Sequence, residues 1–86
     1  MKIVFQDEGW ADYLHWQEHD RKLLKKLNSL IKECSRTPFS GTGKPEPLVG
    51  ALSGWWSRRI DQEHRLVYRF TEDAVLIAQC RHHYRR

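Results

Sequence analysis

The sequence predicts an α+β domain in which two N-terminal α-helices pack on one face of a small antiparallel β-sheet. Two observations carry the prediction. Apolar residues recur at helical spacing through the first third of the chain and alternate with polar ones through the last third. A stretch holding all three prolines and four of the five glycines, residues 37–54, separates the two regimes. With 86 residues, the chain has room for one domain, 1–86, around one compact core.

Lys2-Ile3-Val4-Phe5 favours β structure and reads as a first strand. Asp7 or Glu8 opens a first helix, where an acid suits the positive end of the helix dipole. On it Trp10, Tyr13, Leu14 and Gln17 fall on one face. Asp20 supplies the N-cap of a second helix running from Arg21 to about Arg36. There Leu23, Leu24, Leu27, Leu30, Ile31 and Cys34 form an apolar stripe, with lysines at the other positions. Thr37-Pro38 ends this helix, because the residue before proline avoids the helical region. The Pro- and Gly-rich stretch is expected to be a structured loop with a functional role.

Three β-type runs follow, Trp55 to Ile60, His64 to Phe70 and Ala74 to about His82. The turns between them are short, which implies an antiparallel meander. Alternation puts Leu66, Tyr68 and Phe70 on one face of the middle strand and Arg65, Val67 and Arg69 on the other. On the last strand it groups Leu76, Ala78 and Cys80 on one face, and Gln79, Arg81 and His83 on the other. The helices cover the apolar face, leaving a polar, basic face open.

A formal net charge of +4 favours an anionic partner. The longest apolar run, Ala74 to Ala78, is far short of the ~20 residues a membrane helix needs. Residues 1–20 carry acids and lack the apolar core of a secretory signal, so a cytoplasmic protein is expected. Cys34 and Cys80 form no metal-binding or redox spacing and read as buried, reduced thiols. His64, His82 and His83 lack companion carboxylates or cysteines, and no metal or other cofactor is expected.

The open face carries the chemistry. Arg65, Arg69, Arg81 and His83 can reach it, together with Arg58 or Arg59. Arginine forks match phosphate oxygens, and aromatic rings stack on unpaired bases. RNA is cut without metal when a base takes the proton of a 2′-OH, an acid protonates the departing 5′ oxygen, and cations stabilise the phosphoryl charge. Histidine suits the acid role. Glu46 is the candidate base, because Pro45 and Pro47 restrict the backbone on either side of it. This chemistry alone does not choose among the arginines.

Several motifs follow one another in order: Lys44-Pro45-Glu46-Pro47-Leu48, Leu52-Ser53-Gly54, Trp56-Ser57-Arg58-Arg59-Ile60, His64-Arg65-Leu66-Val67-Tyr68 and Cys80-Arg81-His82-His83-Tyr84. Together they closely resemble the YoeB toxins, a family of the RelE-type superfamily in bacterial type II toxin–antitoxin systems. The resemblance spans Lys2 to Tyr84. It implies a fold similar to compact microbial ribonucleases and a ribosome-dependent endonuclease that cuts mRNA in the A site of the 70S ribosome. It further implies Glu46 as general base, Arg65 as the phosphate-stabilising cation, His83 as general acid and Tyr84 as substrate support. Arg59 is an additional RNA contact in that pattern, and Arg58, Lys44 and Arg81 complete the expected RNA-binding set. Expected partners are mRNA, the ribosome, a cognate YefM-like antitoxin and a second copy of the chain. Operator DNA would be met only through the antitoxin complex, and no membrane is involved. Where the family carries a basic residue after Pro-Glu-Pro-Leu, Val49-Gly50-Ala51 is neutral, and Arg85-Arg86 extend past the usual terminal tyrosine. The rival readings are a non-catalytic ribosome- or RNA-binding protein and a protein-interaction module.

Overall fold

The computed structural model of the chain describes residues 1–83. The elements are β1 (Lys2–Phe5), α1 (Asp7–His19), α2 (Arg21–Cys34), β2 (Glu46–Pro47), β3 (Trp56–Arg59), β4 (Arg65–Phe70) and β5 (Ala74–Gln79), with a 3₁₀ turn at Gly50–Leu52. They form a five-stranded sheet in the order β1-β5-β4-β3-β2, with both helices against one face. The expected α+β class is therefore found. The meander β3-β4-β5 and the edge strand β2 are antiparallel, but the sheet is mixed, because β1 pairs parallel to β5 from Lys2↔Ala74 to Phe5↔Ile77. Parallel neighbours need a long crossover, and here both helices and the other strands supply it.

Asp20 ends α1 and caps α2, its side chain accepting the Leu23 N–H at 3.0 Å. α2 buries Leu27, Leu30, Ile31 and Cys34, the stripe its spacing predicts. α1 differs from expectation. Its buried residues are Gly9, Asp12 and Trp16, while Trp10 and Leu14 stay exposed and Trp10 packs with Phe5 and Tyr13 at the sheet edge. Gly9 decides this orientation: a Cβ there would lie 2.5 Å from the Ile77 carbonyl oxygen, so only glycine lets α1 approach the β5 backbone so closely.

The core joins Trp16, Leu27, Leu30, Ile31 and Cys34 of the helices to Ile60, Leu66, Tyr68, Val75, Ile77 and Cys80. Both cysteines are free and buried, and burial pushes the Cys34 thiol up to about 11. A bulge in β5 alters the predicted faces. Tyr68 pairs with Ile77 but Val67 pairs with Gln79, so Ala78 is an extra residue. Val75 and Ile77 thus face the helices before the bulge and Cys80 after it, whereas Leu76 pairs with Arg69 on the other face. Strict alternation grouped Leu76 with Cys80 because an inserted residue resets the phase. Among the described residues, no helix is long and apolar enough to cross a membrane.

Arg58 requires a correction. Expected as an RNA contact, it is fully buried, and its register partner is the core residue Leu66. Its guanidinium donates to the Tyr68 hydroxyl (3.1 Å) and to the carbonyls of Thr42 (3.1 Å), Ser40 (2.8 Å) and Thr37, and lies 3.4 Å from Glu33. Burial works against its charge, but Tyr68, Cys34 and Glu33 more than offset this and hold its pKa above the ordinary value. Arg58 is the internal tie of the loop after α2, gathering three of its carbonyls.

Candidate active site

Strand register assembles the site. Glu46 pairs with Ser57, Ser57 with Val67, and Val67 with Gln79, so these four form one row across the sheet. Cross-strand partners share a face, and this one points away from the helices. Two residues along β3 and β4, Arg59 and Arg65 oppose each other on the same face. β2 is only Glu46–Pro47 long, and the flanking prolines limit its backbone, so pairing with β3 fixes where Glu46 leaves the chain.

This face is less open than its composition suggests. Ser57, Val67, Gln79 and Arg65 are all buried. Leu52 and Trp55 meet Val67, Ala78 and Gln79 in a groove of about 410 Å³, whose other wall is Gln6, Asp7 and Glu8. The Arg65 guanidinium is anchored, donating to the carbonyls of Asp61 (2.7 Å) and His64 (3.1 Å). The turn carrying those carbonyls is tied by the Asp61 carboxylate, which accepts the N–H groups of Glu63 (2.8 Å) and His64 (2.7 Å). Burial opposes the charge on Asp61, but these bonds prevail and hold its carboxyl below the usual range. Arg59 is exposed, and its backbone N–H donates to the Gly43 carbonyl at 2.7 Å. That bond sets Lys44, at φ 52°, beside Arg59 along a second groove.

Beyond Gln79 the chain leaves the sheet, and side chains take over the binding of its backbone. Asp12 accepts the Cys80 N–H (3.0 Å), and the Trp16 indole donates to the Cys80 carbonyl (2.8 Å). The Gln79 amide donates to the carbonyls of Arg81 (3.1 Å) and His83 (2.7 Å). Gln79 thereby draws exposed His83 back toward the row that contains Glu46.

The structure thus brings Glu46, Arg59 and Arg65 to one face, with Lys44 beside Arg59 and His83 drawn in by Gln79. Arg81 does not join them. Its guanidinium lies 6.0 Å from the Trp16 ring, on the α1 side, where a cation–π contact holds it. Tyr84 lies outside the described residues. Sequence reasoning missed Gln79 as a support for His83. Its signal was a single polar side chain within the apolar run Ala74 to Cys80. A carboxylate and two guanidiniums on one face, with a histidine whose backbone is tied beside it, are groups of the kinds that phosphoryl chemistry uses as base, cations and acid.

The family model for the YoeB-like toxin of bacterial type II toxin-antitoxin systems matches residues 5–84. Toxin YoeB of Escherichia coli (strain K12) is 61% identical over 84 residues, covering 98% of this chain and all 100% of that protein. The YoeB/ParE toxin from Agrobacterium tumefaciens has a similar structure, with a TM-score of 0.95 at 49% identity over 98% of this chain and 100% of that one. The Staphylococcus aureus relative is similar both as a YoeB dimer (TM-score 0.91, 42% identity) and in a heterotetrameric YoeB-YefM toxin-antitoxin complex (TM-score 0.90, 42% identity), each covering 98% of both chains. On these matches over nearly its whole length, the chain belongs to the YoeB toxins of bacterial type II toxin–antitoxin systems.

Proposed function

We propose that this toxin is a ribosome-dependent mRNA endonuclease that inhibits translation by cutting the codon in the A site. The observation that carries the reading is the shared face of Glu46, Arg59 and Arg65, with His83 tethered toward it through Gln79. Glu46 takes the proton of the 2′-OH, and the freed oxygen attacks the adjacent phosphorus. Charge gathering on the phosphoryl oxygens is met by Arg65, whose anchored guanidinium needs little reorganisation. His83 protonates the departing 5′ oxygen, leaving a 2′,3′-cyclic phosphate on one fragment and a 5′-OH on the other. Tyr84 supports the substrate, and Arg59 and Lys44 hold flanking phosphates. Side chains supply each role, so the mechanism requires no metal.

The ribosome supplies a strand held with the 2′-OH in line with its phosphate. Ribosome dependence places the protein in the cytoplasm. The Staphylococcus aureus structures support a homodimer and a YefM-like antitoxin as partners. Operator DNA is met, in this reading, only through the antitoxin complex.

The test is primer extension on a defined mRNA with and without 70S ribosomes. A single cut in the A-site codon, seen only with ribosomes, is expected. Glu46→Gln should lower single-turnover cleavage by about 10²–10⁴-fold while ribosome binding persists. Binding by the wild type without any cut would favour the non-catalytic reading.

A further inference from the structure

His64 has no part in the chemistry above, yet it occupies the pivot of the segment that carries His83. Its Nδ1 accepts the backbone N–H of His82 at 2.8 Å. His82 has φ 64°, the left-handed conformation that disfavours any residue with a Cβ. On the other side of the same residue, the Arg65 N–H donates to the His82 carbonyl at 3.0 Å. Both polar backbone groups of the strained residue are therefore held by the His64-Arg65 dipeptide. Immediately after this turn, the His83 carbonyl meets the Gln79 amide.

The His64 ring is itself fixed. It lies edge-on to Trp16 with centroids 4.6 Å apart, and only 12% of its side chain is exposed. Its backbone N–H is bound by the Asp61 carboxylate, and its carbonyl accepts from the Arg65 guanidinium. An amide proton directed at Nδ1 requires a lone pair there, so neutral His64 carries its proton on Nε2, 3.7 Å from Glu63 Oε1. This tautomer also argues against a metal centre at Glu63, His64 and His82, whose ligand atoms lie within 4.8 Å of one another. A cation at His64 Nε2 would have to displace that proton or break the bond to His82.

We propose that His64 is a positioning residue for the cleavage reaction: by accepting the His82 amide on Nδ1, it holds the left-handed turn that returns His83 to the face of Glu46 and Arg65. This rests on the endonuclease reading for its kinetic consequence, but the turn itself is read independently of activity.

Two substitutions separate the acceptor from the packing. His64→Asn places an oxygen where Nδ1 stood, whereas His64→Leu keeps an apolar body against Trp16 without an acceptor. In single-turnover cleavage on programmed ribosomes, His64→Leu should fall by about 100-fold, the effect of a small misplacement of a reacting group. Ribosome affinity should be unchanged, and His64→Asn should recover most of the rate. Packing alone would reverse that order, because leucine fills the space against the indole better than asparagine. NMR supplies the readout independent of activity. Wild-type His64 should be the Nε2–H tautomer, with a His82 amide protected from hydrogen exchange in the wild type and His64→Asn but not in His64→Leu. A proton on Nδ1, or a protected His82 amide and full cleavage in His64→Leu, would overturn the proposal. A wild type that does not cut RNA would defeat the endonuclease reading and leave the NMR comparison to decide the role of His64.

Discussion

Arg59 and Arg65 face each other in register across β3 and β4, yet Arg65 is only 8% exposed and held by two carbonyls while Arg59 lies open to solvent. A fixed guanidinium suits transition-state charge, and a free one suits attraction of the backbone. Arg65→Lys keeps the charge but loses the planar fork that is anchored on the carbonyls of Asp61 and His64. It should therefore depress the single-turnover rate at saturating ribosomes. Arg59→Ala should instead weaken binding and lower the salt slope of binding by about 0.7. Single-turnover rates with each variant, and affinities across a salt series, check this. Equal effects of both substitutions on rate and affinity would show that burial does not divide their roles.

Arg58 yields the opposite expectation from its neighbour. Replacing it leaves Glu33, the Tyr68 hydroxyl and several loop carbonyls without their cation. Arg58→Met should cost about 3–5 kcal/mol in urea unfolding, the usual cost of removing one partner from a buried charge network. Glu33 stands lower for the same reason, held first by the Thr42 N–H and also by Arg58. A variant of near-native stability with weakened RNA binding would return Arg58 to the RNA-contacting set.

These two neighbours mark how far the sequence was legible. Local periodicity revealed α2 and the three-strand meander, since each repeats along its own segment. The candidate site residues came from ordered motifs and the family resemblance they carry, and the sheet register puts Glu46, Arg59 and Arg65 on one face. Arg58 was misjudged because what draws it inward is a cluster of carbonyls at 37, 40 and 42, which no pattern of side chains reports. Ala78 hid for a related reason: a bulge is set by pairing with β4, and β5 alone reads as unbroken alternation. The parallel pairing of β1 depends on contact between opposite ends of the chain. Arg81 followed Trp16 because its backbone had already left the sheet.

Burial at the base of the Arg58 network also gives the protein an alkaline limit. Burial pushes the Cys34 thiol from 9.0 up to about 11, against the opposing pull of Arg58. It pushes the Tyr68 hydroxyl from 10.0 up to about 12, although the Arg58 hydrogen bond works the other way. Both groups stay protonated in the folded chain at pH values where the unfolded chain has released those protons. Their contribution to stability is therefore complete below the unfolded values and is lost as pH rises through the folded ones. Urea unfolding should show stability falling from pH 9 upward, with a slope approaching about 1.4 kcal/mol per pH unit for each group that has ionised only in the unfolded chain. Cys34→Ala lowers stability at every pH by opening a small cavity, so the slope is the informative quantity. Between pH 9 and 11 that slope should be shallower in Cys34→Ala than in the wild type. An identical slope in the two proteins would mean that the buried thiol is not a source of the alkaline loss.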